Sequence, residues 1–550
     1  MTKFDPAVFT GGFDFVIVGA GSAGCVLANR LSEDPSSRVC LIEAGPSDRS
    51  PLIRVPMGIR LLMQHKVYNW RFSTVPQEHA GNREIYIPRG RVIGGSSSIN
   101  GMVYMRGHRL DYDDWARNGA RGWSFEEVLP YFKKSENNEN FGEPFHGRGG
   151  PWNVKNADRH TPLVEYFLKA SDSLQFSRNE DFNGVSQEGF GWRQANIRDG
   201  YRSSAATAFL DPARNRANLT VLDNCVVSRV IVENRRATGV EILHGGNRFT
   251  ITAQREVIVS AGAIHSPAIL MRSGIGDAKE LAEKGIACVQ EAPGVGRNLQ
   301  DHISAMVQYT SPTTVPYGLS LRSLPFIAWS VLEYALFRRG LLANNFMNAG
   351  AFLRTDRQLD RPDLQLILVP AHRNAKGQVG FGHGYGLVAV VLRPKARGRV
   401  GIRDSNAHTA PDIDPRFLSD PDDVDLLVKG LKISRRLLEA PAWDRVRGHE
   451  FRPGTKVDTD EKLADYARST SVTVFHPVGT CRMGSDDAAV VDPELRVRGV
   501  AGLRVVDASI MPTIIGGNTN APTIMIGEKA ADMIRGRPPL PAQALGDVRP

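Results

Sequence analysis

Apolar and polar positions in the first fifty residues follow a strand period, then a helix period, then a strand period again. The run Phe13–Val18 alternates and then becomes continuously apolar, which predicts a buried parallel strand. Helical spacing over 25–31 predicts a helix, and 38–42 predicts a second buried strand. This order of strand, helix and strand is typical of the βαβ unit that begins an α/β fold.

The same two periods continue along the chain, and short strand-like runs separated by turns become frequent after residue 311. They predict an antiparallel sheet there, so the expected fold class is α/β for the first domain and α+β overall. The further predicted helices cover 111–134 in segments, 161–176, 203–210, 266–272, Leu324–Phe337, 422–438 and 524–534; the further predicted strands cover 219–232, 237–243, 255–260, Leu364–Val369, 385–392, 399–403 and 503–506.

A glycine motif joins the first predicted strand to the first helix. Gly19, Gly21 and Gly24 complete a G-x-G-x-x-G, and Glu43 ends the next strand 19 residues further on. Glycines at this spacing allow a tight turn, so that a helix N-terminus can hold a pyrophosphate, while the carboxylate can accept ribose hydroxyls. The stretch predicts an ADP-containing cofactor; the alternative is an incidental glycine-rich turn.

A second polar loop, Gly90 to Gly101, reads GRVIGGSSSING. Its glycines, serines and asparagine supply many N–H and hydroxyl donors, which suit a pyrophosphate and the polar edge of a flavin ring. A flexible surface loop is the alternative interpretation. Closely flanking apolar residues such as Val92 and Ile93 favour a buried loop.

Composition and charge narrow the class of protein. The 550 residues are 41% hydrophobic and 23% charged, which is typical of a globular protein long enough for two or three domains. The net charge is +9, and the sequence contains no run of five like charges, so we expect no nucleic-acid partner. Weak peripheral contact with an anionic membrane is compatible with this mild positive charge.

Cysteines and apolar runs indicate the compartment. The five scattered cysteines form no C-x-x-C pair, which disfavours a disulfide framework and a metal site and favours a reducing cytosol. The first twelve residues lack the apolar core of a signal peptide, and no apolar run reaches eighteen residues. We therefore expect a cytoplasmic protein that could also associate with the inner face of the membrane.

The last eighty residues again show the strand, polar-turn and helix patterns of the first predicted domain. His476 lies between apolar neighbours in TVFHPVGTCRM, a short strand ends at Asp507, and a polar turn over 516–523 feeds a helix. A late strand and helix of this kind would complete a nucleotide domain that is split in sequence. The predicted division is nucleotide-domain segments at 12–160, 201–310 and 467–540, a second domain at 311–466 with a further segment at 161–200, and a tail at 541–550; the resemblance described next implies that these are the FAD-binding domain and the substrate domain.

Together these motifs resemble the glucose–methanol–choline (GMC) family of FAD oxidoreductases. The likeness rests on 90–113, on 262–276, and on FHPVGTCRMG followed by VVDASIMPTIIGGNTNAPTIMIGEKAADMI, which resembles the branch of bacterial choline, alkanol and polyethylene-glycol dehydrogenases. The resemblance implies an FAD domain built from three segments and a substrate domain whose sheet covers the flavin.

The resemblance also implies residue roles. His476 corresponds to the catalytic histidine and Asn520 to the second active-site position, and a histidine is independently suited to accept an alcohol proton near neutral pH. The substrate pocket is expected to include Phe346, Asn348, Val474 and Phe475. The residues expected to bind the cofactor are Gly19, Gly21, Ser22, Ala23, Gly24, Glu43, Ala44, Trp70, Arg91, Gly94, Gly95, Ser96, Asn100, Gly101, Met102, Val103, Val226, Ala261, Asp507, Ala508, Asn518, Thr519, Asn520 and Thr523.

Two positions depart from the family pattern. Ile99 stands where members with covalently attached flavin carry histidine, so we expect non-covalent FAD. Asn348 stands where choline-oxidising members carry a glutamate that faces the trimethylammonium group. A quaternary ammonium substrate would lack its counter-charge here, which favours a neutral alcohol.

The expected function is oxidation of a neutral primary alcohol to the aldehyde, by hydride transfer to flavin N5 with a histidine base. The alternatives are choline dehydrogenase or alcohol oxidase activity of the same family, a hydroxynitrile lyase that uses flavin as a scaffold, and a non-catalytic nucleotide-binding protein. An NAD enzyme is disfavoured because the loop at 90–101 would have no role. The electron acceptor (oxygen, a quinone or another) and the oligomeric state stay open.

Overall fold

A computed structural model describes residues 11–157, 161–373 and 380–545. Most of the N-terminal segment considered for a signal peptide and the end of the predicted tail lie outside the described residues. The helices are α1 (Ser22–Leu31), α2 (Pro51–Arg54), α3 (Ile59–Leu62), α4 (Arg109–Arg117), α5 (Phe125–Ser135), α6 (Leu163–Ser173), α7 (Asp211–Ala213), α8 (Gly262–Arg272), α9 (Ala278–Glu283), α10 (Leu324–Phe337), α11 (Pro421–Glu439), α12 (Asp460–Thr470) and α13 (Asn520–Ile534).

The strands are short, apart from a few long antiparallel ones. They are β1 (Phe13–Val18), β2 (Val39–Ile42), β3 (Phe72–Ser73), β4 (Tyr86–Ile87), β5 (Val103–Tyr104), β6 (Glu136–Asn138), β7 (Trp152–Asn156), β8 (Gly189–Trp192), β9 (Gln194–Ala195), β10 (Ile197–Arg198), β11 (Tyr201–Arg202), β12 (Leu219–Leu222), β13 (Val226–Glu233), β14 (Arg236–His244), β15 (Asn247–Val259), β16 (Ile275–Gly276), β17 (Gln290–Glu291), β18 (Arg297–Leu299), β19 (Ile303–Ser311), β20 (Gly318–Leu319), β21 (Ala349–Leu353), β22 (Leu364–Val369), β23 (Gly382–Val391), β24 (Gly398–Gly401), β25 (Asp412–Asp414), β26 (Glu450–Arg452), β27 (Val472–Thr473) and β28 (Leu503–Val505).

The first sheet has a parallel half in the order β12, β2, β1, β15, β28. Val16 of β1 lies opposite Cys40 of β2 on one side and Val257 of β15 on the other. The central strands β1 and β2, FDFVIV and VCLI, are almost entirely apolar because helices cover both faces of a parallel sheet. The carboxyl ends of β1 and β2 meet at one edge, which brings Gly19 and Glu43 together. The split fold predicted from the sequence is confirmed by β28, the C-terminal strand that completes this sheet.

The predicted strand over 219–232 is wrong as a single element. It divides into β12, which pairs parallel to β2, and β13, which forms an antiparallel hairpin with β14. The chain turns between them at Asp223 and Asn224, where Asn224 has φ of 55° and its N–H donates to the carbonyl of Gly45. Two consecutive turn-forming polar residues inside an apolar run were the signal for this division.

The second sheet is antiparallel, in the order β26, β19, β23, β22, β21, β8, with β20 and β27 at its margins. Its buried side forms a separate apolar core with α6 and α11. The strand β8, which lies in the 161–200 segment, pairs with β21 of this sheet. Strand β19 of this sheet lies mainly inside the predicted FAD segment 201–310, and strand β27 lies wholly inside the predicted FAD segment 467–540. The boundaries at 310 and 467 therefore stay predictions.

Two predicted helices show what the sequence could and could not specify. Helix α10 has the predicted bounds, although only Ser330 and Tyr334 are buried. The helix expected over 203–210 is a π-helical turn, Ala206–Leu210, and it continues into α7 rather than ending at Asp211. Pro212 fits the first turn of α7, where no N–H is required. Within the described ranges, no helix combines the length and the apolar character needed to cross a bilayer.

Candidate functional site

A cavity of about 930 Å³ lies where the carboxyl edge of the parallel sheet faces the second sheet. Its walls come from both, because Val18 ends β1 whereas Ile367 and Val388 belong to β22 and β23. Of the residues predicted for the site, the cavity is lined by Gly19, Gly21, Ser22, Ala23, Glu43, Ala44, Trp70, Gly95, Ser96, Asn100, Gly101, Met102, Val103, Val226, Ala261, Phe346, Val474, Phe475, His476, Asp507, Ala508, Asn518, Thr519, Asn520 and Thr523.

Four predicted residues do not line the cavity. Gly24 and Gly94 lie behind its wall, Arg91 places its guanidinium 5.0 Å from the ring centre of Trp70, and Asn348 is buried beside the second sheet. The carbonyl of Asn348 accepts a hydrogen bond from the backbone N–H of Arg193 at 2.7 Å. The neighbouring Phe346 lines the cavity instead.

The N-terminus of α1 is open toward the cavity. Its N-cap residue Gly21 makes no side-chain capping hydrogen bond, and the first turn contains no acid. Unsatisfied N–H groups and the helix dipole favour an anion at this position. Gly24 is required for packing, since a Cβ there would lie 1.9 Å from the carbonyl oxygen of Gly19.

The two glycine loops of the sequence contact each other beneath the cavity. The N–H of Gly94 donates to the carbonyl of Ala20 at 2.7 Å, and a Cβ on Gly95 would lie 2.7 Å from the Cα of Gly21. Gly94 and Gly95 both have positive φ, which favours glycine. The contact shows that the second loop is part of the same wall rather than a flexible surface loop.

Glu43 is buried beneath the glycine turn. Its carboxylate accepts from the N–H of Ala20 at 3.0 Å and of Gly45 at 2.9 Å. Burial raises its pKa to about 7, although these two N–H groups favour the ionised form. A carboxylate has about four acceptor positions, so Glu43 retains capacity for further hydroxyl donors from a ligand.

Asp507 connects three parts of the chain at the nucleotide end of the cavity, where strands β15 and β28 of the parallel sheet end. Its carboxylate accepts from the N–H of Gly262 at 2.8 Å, from the hydroxyl of Ser266 at 2.5 Å and from the N–H of Ser509 at 2.8 Å. The side chain is therefore occupied in joining α8 to the turn after β28. Burial raises the pKa of Asp507 above its usual range.

These features fit FAD. The open N-terminus of α1 would hold the pyrophosphate, Glu43 the ribose hydroxyls, and the loop at Gly95 and Asn100 the polar edge of the isoalloxazine ring. The cavity has the volume of a typical cofactor site. Ile99 packs with Ile53, Leu62 and Val92 and provides no nitrogen for a covalent link.

His476 lies at the opposite end of the cavity, held by four contacts. Its Nδ1 is 2.9 Å from Nδ1 of His302, its Nε2 is 3.0 Å from the amide nitrogen of Asn518, and its backbone N–H donates to Asp301 at 2.7 Å. The carbonyl of the preceding Phe475 accepts from the guanidinium of Arg89 at 2.6 Å. The imidazole is thus fixed from both sides.

The hydrogen bonds fix the tautomer of His476. Nε2 of His302 is 3.0 Å from the carbonyl of Leu392, which can only accept, so this nitrogen carries the proton. Nδ1 of His302 is then an acceptor, and Nδ1 of His476 must donate to it. The lone pair of His476 is left on Nε2, where the amide N–H of Asn518 meets it.

The surroundings keep both histidines neutral. Burial, followed by the charges of His302, Arg89 and Arg193, lowers the pKa of His476 well below its usual range. Burial also lowers the pKa of His302 to about 4. At neutral pH the Nε2 atom of His476 is therefore a free base directed at the ligand space.

Three residues that line this end have strained backbones. Met102, Phe346 and Phe475 have φ of 55°, 60° and 72°, which costs a non-glycine residue about 1–3 kcal/mol. Each N–H is held by the side chain two residues earlier, for example that of Phe475 by the Thr473 hydroxyl at 2.8 Å. Such strain is typical of positions where a ligand must be contacted closely.

The sequence pointed to His476 but missed its supports. Asp301, His302, Arg89 and Arg193 were not predicted as site residues, although an Asp-His pair directly before the apolar strand β19 is an unusual start for a buried strand. The proximity of Asp301 and His302 to His476 depends on the pairing of β27 with β19, which spans some 170 residues of sequence.

An open helix N-terminus above a parallel sheet, a buried ribose-type carboxylate and a fixed imidazole base define a dinucleotide-dependent oxidoreductase. Family models for GMC oxidoreductase match residues 13–304 and 394–527. The chain belongs to the GMC oxidoreductase family, as its motifs predicted, and it is a flavoprotein with FAD as cofactor.

Relatives of known function extend over nearly the whole chain. An alcohol dehydrogenase [acceptor] of Pseudomonas putida is 44% identical over 526 residues, 95% of each chain. An oxygen-dependent choline dehydrogenase of Brucella ovis is 43% identical over 532 residues, 96% of each chain. The structure of an Aspergillus oryzae RIB40 formate oxidase variant, studied for FAD modification, is similar with a TM-score of 0.88 and 27% identity, covering 96% of this chain and 98% of that one. The chain is thus an enzyme that acts on CH–OH donors.

Proposed function

We propose that this enzyme oxidises a primary alcohol to its aldehyde, with Nε2 of His476 as the base that receives the hydroxyl proton. The observation that carries the proposal is the hydrogen-bond network from Leu392 through His302, which leaves the lone pair of His476 directed into the cavity. A neutral histidine with a fixed tautomer is suited to this task near neutral pH.

The chain's own residues would act as follows. The alcohol hydroxyl would replace the amide of Asn518 at Nε2 of His476 and give up its proton there as the carbon–hydrogen bond breaks. His302 would stabilise the resulting imidazolium, since it accepts from Nδ1. Bound FAD would supply the electron acceptor, taking the hydride from the carbinol carbon at N5.

Asn520 would orient the substrate oxygen. Its Oδ1 accepts from the hydroxyl of Ser22 at 2.6 Å, which directs the amide N–H₂ group away from Ser22. It is the first residue of α13 and lines the cavity. An amide donor at this place would stabilise negative charge on the substrate oxygen as the proton leaves.

The charges around the cavity argue against a quaternary ammonium substrate. Among the described residues that line the cavity, Glu43 and Asp507 are the acids, and both are engaged beside the nucleotide end. Among the described residues that line the cavity beside His476, a trimethylammonium group would meet no carboxylate, since Asp301 is buried and does not line the cavity. Choline should therefore be a poor substrate, despite the similarity to a choline dehydrogenase.

An anaerobic panel of alcohols, followed by flavin absorbance, tests the proposal. Uncharged or anionic primary alcohols should bleach the flavin and choline should not. A preference for choline of tenfold or more in kcat/KM would contradict the substrate assignment. Substrate conversion with the flavin oxidised throughout would instead identify a lyase, and no bleaching by any alcohol would contradict the proposed oxidation.

We also propose that the FAD is bound without a covalent link, because Ile99 occupies the attachment position. Acid denaturation should release yellow FAD into the supernatant. Colour that remains with the precipitated protein would refute this assignment.

The surface of α10 supports peripheral contact with an anionic membrane, on the cytoplasmic side that the sequence predicts. Leu324, Trp329, Leu336 and Phe337 are each about half exposed or more, and exposed arginines follow the helix. The exposed apolar side chains and the arginines that follow them supply the two contributions to interfacial binding, which are buried apolar area and attraction to anionic lipids. Flotation with vesicles rich in phosphatidylglycerol should recover the protein, and Trp329→Glu should abolish recovery without changing activity in solution.

A further inference from the structure

Arg193 is a buried cation that no acid in the described part of the chain pairs with. It lies between β8 and β9, is 1% exposed, and lines the cavity at the side of the second sheet. Its Nε and Nη2 atoms are buried with no hydrogen-bond partner among the described residues. Burial lowers its pKa to about 10, so the guanidinium still carries its charge at neutral pH.

A charge left in this state is costly to the folded protein. Buried charges in proteins are normally paired or fully hydrogen-bonded, because water no longer solvates them. The backbone N–H of Arg193 donates to Asn348, and its Nε lies against Gly350, where a Cβ would come within 3.0 Å. The side chain is therefore held in place by packing, while its Nε and Nη2 donors have no acceptor among the described residues. A ligand could supply this acceptor.

The position of Arg193 indicates which ligand. It follows a strand of the second sheet and is near enough to His476 for its charge to lower the pKa of that histidine. The pyrophosphate end lies instead at α1, in the first sheet. Arg193 therefore lines the cavity near His476, at the end where the substrate hydroxyl would bind.

Most of the charged residues that line the rest of the cavity are also arginines. The acids among its described lining residues, Glu43 and Asp507, accept hydrogen bonds from backbone N–H groups at the nucleotide end. Arginines contribute along its length: Arg60, Arg89, Arg193, Arg272 and Arg373. A cavity lined by one sign of charge concentrates ligands of the opposite sign.

We propose that Arg193 binds a carboxylate on the substrate, so that the enzyme acts on primary alcohols that are also carboxylic acids. This rests on the proposed oxidation and adds the substrate class to it. The planar guanidinium would hold the carboxylate through its free N–H groups. Binding the carboxylate would place the distal hydroxyl at Nε2 of His476, and chain length would decide which hydroxy acid fits.

The test uses holoenzyme and matched pairs of substrates: 3-hydroxypropanoate, 4-hydroxybutanoate and 6-hydroxyhexanoate, each with its primary amide. Anaerobic flavin reduction should favour at least one acid over its amide by about tenfold or more, the effect of one charged hydrogen bond. Arg193→Met should remove this preference by weakening the acid alone, and Arg193→Lys should restore part of it. Arg198→Met removes an exposed cation that does not line the cavity and should keep the preference.

A binding measurement separates this inference from the proposed oxidation. Unreactive propanoate, butanoate and hexanoate should perturb the flavin spectrum of the wild type and no longer do so in Arg193→Met, whether or not any alcohol is oxidised. Amides reduced as fast as acids at every length, or an acid preference that survives in Arg193→Met, would overturn the inference. Loss of FAD from both Arg193→Met and Arg193→Lys would overturn it as well, since Arg193 would then hold the cofactor.

Discussion

At the scale of single residues, the proposed chemistry depends on which atom of His476 carries the proton. The carbonyl of Leu392 can only accept, and this determines the tautomer of His302 and, through it, that of His476. Removing His302 would leave the imidazole free to rotate. The base is thus defined by a chain of three hydrogen-bonding groups rather than by the histidine alone.

His476→Ala should slow anaerobic flavin reduction by about 10²–10⁴-fold while FAD stays bound. Asn520→Ala, which removes a donor but no base, should cost less, about 10–10³-fold. Stopped-flow absorbance measures both. Reduction at a near wild-type rate in His476→Ala would contradict the mechanism, and loss of FAD would assign His476 a structural role.

The pH dependence of flavin reduction follows from the lowered pKa of His476. The base acts when neutral, so the rate should be flat at and above neutral pH and should fall only on the acid side of 6.5, the usual histidine value. This acid limb should be missing in His476→Ala. A rate that rises through pH 7–8 in the wild type would show a histidine that is protonated at neutral pH.

Glu43 gives a different pH dependence, that of cofactor binding. Since the pKa of Glu43 is about 7, most of its carboxyl groups are neutral below this pH. A neutral carboxyl is a poorer acceptor for ribose hydroxyls than a carboxylate. FAD affinity should therefore rise with pH through about 7 and then level off. Glu43→Gln should bind FAD about 10–100-fold more weakly, because it loses one charged hydrogen bond worth about 1.5–3 kcal/mol. Its affinity should also lack this pH dependence. Titration of apoprotein with FAD at several pH values tests both, and a wild-type affinity independent of pH would remove Glu43 from the ribose.

At the scale of elements, α1 can bind the pyrophosphate only because it packs closely on the turn before it. A Cβ at Gly24 would lie 1.9 Å from the Gly19 carbonyl and push the helix N-terminus out of place. Gly24→Ala should therefore destabilise the protein by about 1–3 kcal/mol and reduce the fraction purified with FAD. Gly401→Ala is the matched control, since nothing lies within 4 Å of its Cβ position. Equal FAD content in the two variants would contradict the steric requirement.

At the scale of the whole molecule, the cofactor site lies between two sheets with separate apolar cores. Ligand binding to such a cavity should stabilise the fold as a unit. FAD at one hundred times its dissociation constant contributes about 2.7 kcal/mol, and for a chain of this size the midpoint of thermal unfolding should rise by roughly 2–3 °C. Riboflavin lacks the adenosine diphosphate and should produce little shift, whereas equal shifts would mean that the α1 end contributes nothing.

The sequence by itself determined the parts that depend on local pattern. The period of the apolar residues specified β1, α1, β22 and α10, and the glycine spacing specified the turn that receives a pyrophosphate. Long motifs identified the family, most of the cavity wall, His476 and Asn520. The predictions of these elements and of the family are confirmed, because backbone conformation and helix or strand period are set by residues near in sequence. The roles of His476 and Asn520 stay predictions.

Tertiary structure alone decided what lies beside His476 and what is left unpaired. The pairing of β27 with β19 brings His302 to His476, and the approach of β8 to β21 leaves the guanidinium of Arg193 without an acceptor. Local pattern predicts neither, because burial and hydrogen-bond partners depend on contacts between residues more than 150 positions apart. The position of the proposed base could therefore be predicted from sequence, whereas its tautomer and the proposed role of Arg193 in binding a carboxylate required the fold.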